Sequence, residues 1–100
     1  MMTSPEEYER QIEVGKAAVK EVLVRLATES TRPEISHVEF FRTAKDFDNS
    51  QESLWDPVNR KSVAKLNEAD LADLPGTPEL HPKIEAQLRI ALKQYYVVTV

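Results

Sequence analysis

The segment Ser4-Pro5-Glu6-Glu7 constrains the fold most, because it carries the signals that begin an α-helix. A hydroxyl residue at the N-cap, a proline at the first helical position and a carboxylate at the third form a capping box. Small or apolar residues then recur on one side at steps of three, four or seven: Tyr8, Ile12, Gly15, Ala18, Val19, Val22 and Leu26. We therefore predict an amphipathic helix over residues 5–28, which ends before Pro33.

A second amphipathic helix is predicted over residues 80–96. Thr77-Pro78 and His81-Pro82 each place a polar residue before a proline, which suits a helix start. The apolar stripe that follows consists of Leu80, Ile84, Leu88, Ala91, Leu92 and Tyr95. The run 95–100 is β-branched and aromatic, so it fits either a terminal strand or a helix end.

The middle of the chain has weaker signals. Residues 35–47 show both a three-residue helical repeat and strand-like alternation around Glu39, and we favour a helix. Residues 46–56 are predicted as a polar loop, and Asp56-Pro57 as the start of a short helix through Leu66. Asn67 is a further candidate N-cap.

These elements predict a mainly α fold: a compact small helical domain with long N-terminal and C-terminal amphipathic helices. The alternative is an α+β fold with a small strand pair, residues 35–41 against 95–100. A chain of 100 residues has the size of one domain, so we expect residues 1–100 to form a single domain.

The composition of the chain excludes or disfavours several classes of function. The chain has no cysteine, which excludes disulfides and thiolate chemistry, and its two glycines are isolated, which disfavours a phosphate-binding loop. The net charge of −4 makes nucleic-acid binding unlikely. With no apolar run of membrane-spanning length and no signal peptide, we expect a cytoplasmic protein that does not enter a membrane.

No motif identifies a catalytic, cofactor or metal site. Asp46, Asp48, Ser50 and Glu52 alternate like the start of a calcium-binding EF-hand loop, but the glycine and the bidentate glutamate that such a loop requires are absent. His37 and His81 lack the spacing of paired ligands on a helix. We therefore predict no catalytic residues, no cofactor and no metal.

The candidate residues are instead apolar ones that could contact a protein partner. On the first helix, Ile12, Val19, Val22 and Leu26 follow a heptad-like seam, which either the chain's own last helix or a second protein could fill. Phe40 and Phe41 are adjacent and point to opposite sides, so one of them is a candidate exposed contact, and Trp55 is a possible binding anchor.

The function expected from these patterns is that of a non-catalytic cytoplasmic protein–protein interaction module: an adaptor, an inhibitor or a regulatory subunit. If part of the α1 seam is shared between two copies, the protein is a homodimer. Two alternatives stay open. One is a small enzyme that uses a histidine/carboxylate pair. The other is an acidic inhibitor that mimics nucleic acid and occupies a basic groove.

Overall fold

The protein is mainly helical and carries a small antiparallel sheet. The computed structural model describes residues 4–96. In chain order the elements are α1 (Pro5–Glu29), β1 (Glu39–Phe41), α2 (Ala44–Asp48), β2 (Gln51–Asp56), β3 (Lys61–Asn67), α3 (Glu68–Asp73) and α4 (Leu80–Tyr96). Short 3-10 helices cover Pro33–His37 and Leu74–Gly76. No helix within residues 4–96 has the length and apolarity that crossing a membrane requires.

Helix α1 begins where its side chains can satisfy its free amide groups. The Ser4 hydroxyl accepts a hydrogen bond from the backbone N–H of Glu7 at 3.2 Å, and Pro5 occupies the first helical position. At the other end, the Ser30 N–H donates to the carbonyl of Leu26 at 3.0 Å. One side of α1 is buried: Ile12, Gly15, Val19, Leu23, Leu26 and Ala27.

Gly15 allows helix α3 to approach α1 closely. A Cβ atom at this position would lie 2.0 Å from the carbonyl oxygen of Leu71, far inside van der Waals contact. The seam on α1 is therefore covered in part by α3. Helix α4 is joined to α1 by ion pairs between Arg25 and Glu85 and between Arg89 and Glu29, the latter at 2.9 Å.

The sheet has the order β1-β2-β3, and all of its neighbours are antiparallel. Phe40 pairs with Leu54 across β1 and β2, and Leu54 pairs with Ala64 across β2 and β3. These positions share the inner face, which packs into the core with α1. Phe41 and Ser53, which also pair, lie on the opposite, outer face.

The structure corrects three predictions for the middle of the chain. The favoured helix over 35–47 is divided into a 3-10 helix, strand β1 and the five-residue helix α2. The predicted loop 46–56 contains strand β2, and the predicted helix from Asp56 to Leu66 is the β2–β3 hairpin. The Asp56 carboxylate accepts the backbone N–H of Val58 at 2.9 Å, so the apparent N-cap closes a turn instead.

The alternative strand pair, 35–41 against 95–100, is not seen in the part of the chain that the structure describes. Within the range 35–41 only Glu39–Phe41 forms a strand, and it pairs with β2. Tyr95 and Tyr96 belong to helix α4, and residues 97–100 lie outside the described residues. Among the described residues, the small sheet is thus built from three strands that follow one another in the chain.

Candidate functional site

The residues predicted to contact a partner separate into two groups. Ile12, Val19 and Leu26 are buried in the core of this chain, and Val22 is partly buried against it. Phe40, Phe41 and Trp55 lie together at the sheet. The α1 seam is thus occupied by the protein's own elements, whereas Phe41 and Trp55 form an aromatic contact on the outer face of the sheet.

We call the group Phe40, Phe41, Phe47 and Trp55 the aromatic corner. The rings of Phe41 and Trp55 lie 5.2 Å apart between centroids and are tilted by 35°. Phe41 is 50% exposed and Phe47 is 62% exposed, although both are large apolar side chains. The aromatic corner therefore presents to solvent the type of surface that proteins usually cover.

Local backbone structure places these rings. Because side chains alternate along a strand, Phe40 faces the core while Phe41 points outward beside Trp55. Helix α2 starts at a capping box: the Thr43 hydroxyl accepts from the Asp46 N–H at 3.1 Å, and the Asp46 carboxylate accepts from the Thr43 N–H at 3.0 Å. This short helix carries Phe47 at the edge of the corner.

A groove of about 560 Å³ runs between α1 and the aromatic corner. Its floor includes Phe40, Phe41 and Phe47, and α1 contributes one wall with Glu6, Glu9, Arg10, Ile12, Glu13 and Lys16. A second cavity continues along α1 and shares Glu13, Lys16 and Phe40 with the first. The two cavities are neighbours along α1, and together we call them the α1–β1 groove.

Glu52 is a charged residue at the base of this groove, and it is almost fully buried, with 3% exposed. Its carboxylate lies 3.3 Å from the Lys16 ammonium and 3.4 Å from the Arg42 guanidinium. Arg42 also pairs with Glu68 and lies 4.1 Å from the centroid of the Phe47 ring. Two cations thus neutralise Glu52 and are themselves held in place.

A second buried carboxylate, Asp46, fixes α2 on the outer face of the sheet. It accepts hydrogen bonds from the Lys65 ammonium at 2.6 Å and from the Ser53 hydroxyl at 2.8 Å. The Lys65 bond, followed by the backbone N–H of Thr43, holds the pKa of Asp46 well below its ordinary value. Asp46 therefore stays ionised and acts as an anchor for the helix that carries Phe47.

Asp56 connects the hairpin turn to helix α4. It accepts from the Tyr95 hydroxyl at 2.7 Å and from the Asn59 side chain at 2.8 Å. Burial opposes ionisation, but these hydrogen bonds outweigh it, so the pKa of Asp56 is lowered. Burial raises the pKa of the neighbouring Tyr96 to about 12. Asp56, Asn59 and Tyr95 thus satisfy one another by hydrogen bonds, which is typical of a structural network.

The arrangements needed for histidine or metal chemistry are not found within residues 4–96. His37 and His81 are exposed, and no ion pair or hydrogen bond in this range joins either side chain to a carboxylate. No group of three or more potential metal ligands is present among these residues. In the EF-hand-like segment, the carboxylates of Asp46 and Glu52 are already bound by lysine and arginine.

Phe47 and Arg42 are part of the site but were not among the residues predicted from the sequence. Phe47 had a local signal, since it is a large apolar residue between two aspartates in a polar segment. Arg42 had no local sequence signal, because its contacts with Glu52 and Glu68 form only when β2 and α3 are in place.

No family model, no curated protein and no solved structure matches this chain.

Proposed function

We propose that the protein is a non-catalytic protein–protein interaction module, acting in the cytoplasm as an adaptor, an inhibitor or a regulatory subunit. The observation that carries this proposal is the exposure of two phenylalanine rings. Phe41 contacts Trp55, and Phe47 contacts Arg42. Aromatic residues and arginine are the residue types most enriched at the energetic centres of protein interfaces.

The anchoring of the aromatic corner supports this function. Ionised and buried, Asp46 holds α2 to β2 and β3 through Ser53 and Lys65. Phe41 is held by strand pairing and by its contact with Trp55. Because the rings are presented from ordered elements, a partner would lose little binding free energy in ordering them.

Quantitative capture of proteins from the native lysate tests the proposal. The parent protein and a Phe41→Ser/Phe47→Ser variant are immobilised at equal density, and the captured proteins are compared by mass spectrometry. We expect at least one protein to be reduced about tenfold or more with the variant, since loss of an interface centre costs about 2 kcal/mol or more. Circular dichroism and urea unfolding establish that the variant is folded.

The matched control is Val58→Ser/Ile90→Ser. It also removes two exposed apolar side chains, which are 82% and 61% exposed, but neither belongs to the aromatic corner or lines its groove. Proteins that depend on the aromatic corner should be retained by this control. If the parent and the Phe41→Ser/Phe47→Ser variant capture the same proteins in equal amounts, the proposed function is wrong.

A further inference from the structure

The geometry points to a specific occupant for the α1–β1 groove: a short peptide segment of a partner protein in which arginine or lysine lies next to an apolar side chain. This inference rests on the proposed function and adds the chemistry of the partner. The length of the groove, the charges along its α1 wall and the aromatic side chains on its floor support this occupant.

The length of the groove suits a peptide segment. Its α1 wall extends from Glu6 to Lys20, with lining residues on successive turns of one helix face. Fourteen helical steps at 1.5 Å per residue give a lined surface of about 21 Å along α1. An extended chain advances about 3.3 Å per residue, so about six residues would span this surface.

Most cations of the groove are already engaged within the protein. Lys16 pairs with Glu13 and Glu52, and Arg42 pairs with Glu52 and Glu68. The ammonium of Lys20 donates to the backbone carbonyl of Val38. The charges of Lys16 and Arg42 are therefore neutralised within the protein, whereas Lys20 keeps its positive charge.

The acidic residues at the open rim are not engaged in this way. Within residues 4–96, Glu6, Glu9 and Glu39 line the groove without an ion pair, and so do the cations Arg10 and Lys20. The unpaired charge is thus three negative against two positive. A cationic side chain is the complementary partner for this rim.

The floor of the groove favours an apolar side chain in the partner peptide. Phe41 and Phe47 expose about half or more of their surface next to the acidic wall. An apolar side chain placed on these rings would be removed from water, while a neighbouring arginine or lysine would reach Glu6 and Glu9. The guanidinium of an arginine could also stack on an exposed ring, as Arg42 does on Phe47.

The probe is a fluorescently labelled synthetic peptide of alternating arginine and leucine, titrated with the full-length protein and followed by anisotropy. The comparison peptide replaces every arginine with glutamate. We expect saturable binding of the arginine peptide, weaker binding as salt is raised, and no binding of the glutamate peptide. Equal binding of both peptides, or no binding of the arginine peptide, would overturn the inference.

Two charge variants locate the site. Glu6→Gln/Glu9→Gln removes two carboxylates from the groove, and Glu7→Gln/Glu21→Gln removes two exposed carboxylates of α1 that do not line it. Both variants change the net charge equally. We expect roughly five- to tenfold weaker binding with the groove variant, as for two exposed ion pairs, and unchanged binding with its control. Equal weakening by both would mean nonspecific attraction and would overturn the inference.

The inference and the proposed function can fail separately. If lysate proteins are lost with Phe41→Ser/Phe47→Ser but the arginine peptide does not distinguish the two charge variants, the aromatic corner binds protein and the partner chemistry inferred for the groove is wrong. If neither the lysate proteins nor the peptide depends on Phe41 and Phe47, both fail.

Discussion

The two faces of the three-stranded sheet differ in how completely they are covered. On the inner face, Leu54 is fully buried and Phe40 packs against the core, with Lys16 of α1 lying 5.5 Å from the Phe40 ring. On the outer face, α2 covers Ser53, whereas Phe41 remains half exposed and Trp55 is only partly buried. Adjacent residues of one strand, Phe40 and Phe41, thus have opposite environments.

This difference separates the residues that stabilise the fold from those available for binding. A buried aromatic ring contributes to stability through the apolar area it removes from water. An exposed ring contributes much less, so its replacement by a smaller polar residue should leave the fold nearly unchanged. Substitutions on the two faces should therefore have very unequal effects on stability.

The largest effect is expected on the inner face. Leu54→Ala should lower the free energy of unfolding by about 3 kcal/mol, because it removes buried methyl groups and leaves a cavity. Urea unfolding followed by circular dichroism measures the change. Leu54 has no exposed surface, which indicates a tightly packed inner face. A loss of stability below about 1 kcal/mol would contradict this tight packing.

Gly15→Ala tests the packing of the helix that covers the inner face. Alanine normally stabilises a helix by about 1 kcal/mol relative to glycine. Here its Cβ would meet the Leu71 carbonyl oxygen at 2.0 Å, so α1 and α3 would have to separate. We expect a net destabilisation of about 2 kcal/mol in urea unfolding. A stabilised variant would contradict the close approach of the two helices.

Asp46→Asn tests the anchor of α2 on the outer face through its pH dependence. The pKa of Asp46 is lowered in the folded protein, so the carboxylate contributes stability above its unfolded pKa of about 3.9 and loses it as the pH falls toward the folded pKa. The variant should be less stable than the parent at pH 7, and the difference should decrease below about pH 4. Urea unfolding of the parent and the variant, from pH 7 to below about pH 4, measures the difference in stability. A difference that does not change with pH would contradict the lowered pKa of Asp46.

The smallest effect on stability is expected for Phe41→Ser on the outer face. Because the ring is half exposed, we expect a loss of stability below about 1 kcal/mol in urea unfolding, even though the proposed binding to a partner should be weakened. The comparison with Phe40→Ser sharpens this expectation, since Phe40 packs against the core and should be several times more costly. If both variants lost similar amounts of stability, the expected difference between the inner and outer faces of the sheet would be wrong.

A mainly helical fold could be predicted from local signals, but the sheet could not. Strand β2 has the sequence Gln51-Glu52-Ser53-Leu54-Trp55-Asp56, whose polar residues resemble a loop. Three of them are buried because distant residues satisfy them: Glu52 binds Lys16 and Arg42, Ser53 binds Asp46, and Asp56 binds Tyr95. The sequence does not show these partners, so the burial of a polar strand could not be inferred.

The β2–β3 hairpin was missed for a different reason. An aspartate followed by a proline can begin a helix or close a turn, since in both cases its carboxylate accepts nearby backbone N–H groups. Asp56 accepts from Val58 and Asn59, and strand β3 then pairs with β2. For the candidate site, Phe40, Phe41 and Trp55 were identified from residue type alone, whereas Arg42 depended on the folded arrangement.

The ion pairs between α1 and α4 have a consequence for the order in which the chain folds. Arg25 meets Glu85, and Glu29 meets Arg89, each across a separation of 60 residues. The β2–β3 hairpin closes through only four residues, Pro57 to Arg60. Loop closure favours near neighbours, so during synthesis we expect the hairpin to form before α4 can dock. Until α4 docks, Arg25 and Glu29 on the last turns of α1 would remain exposed to water.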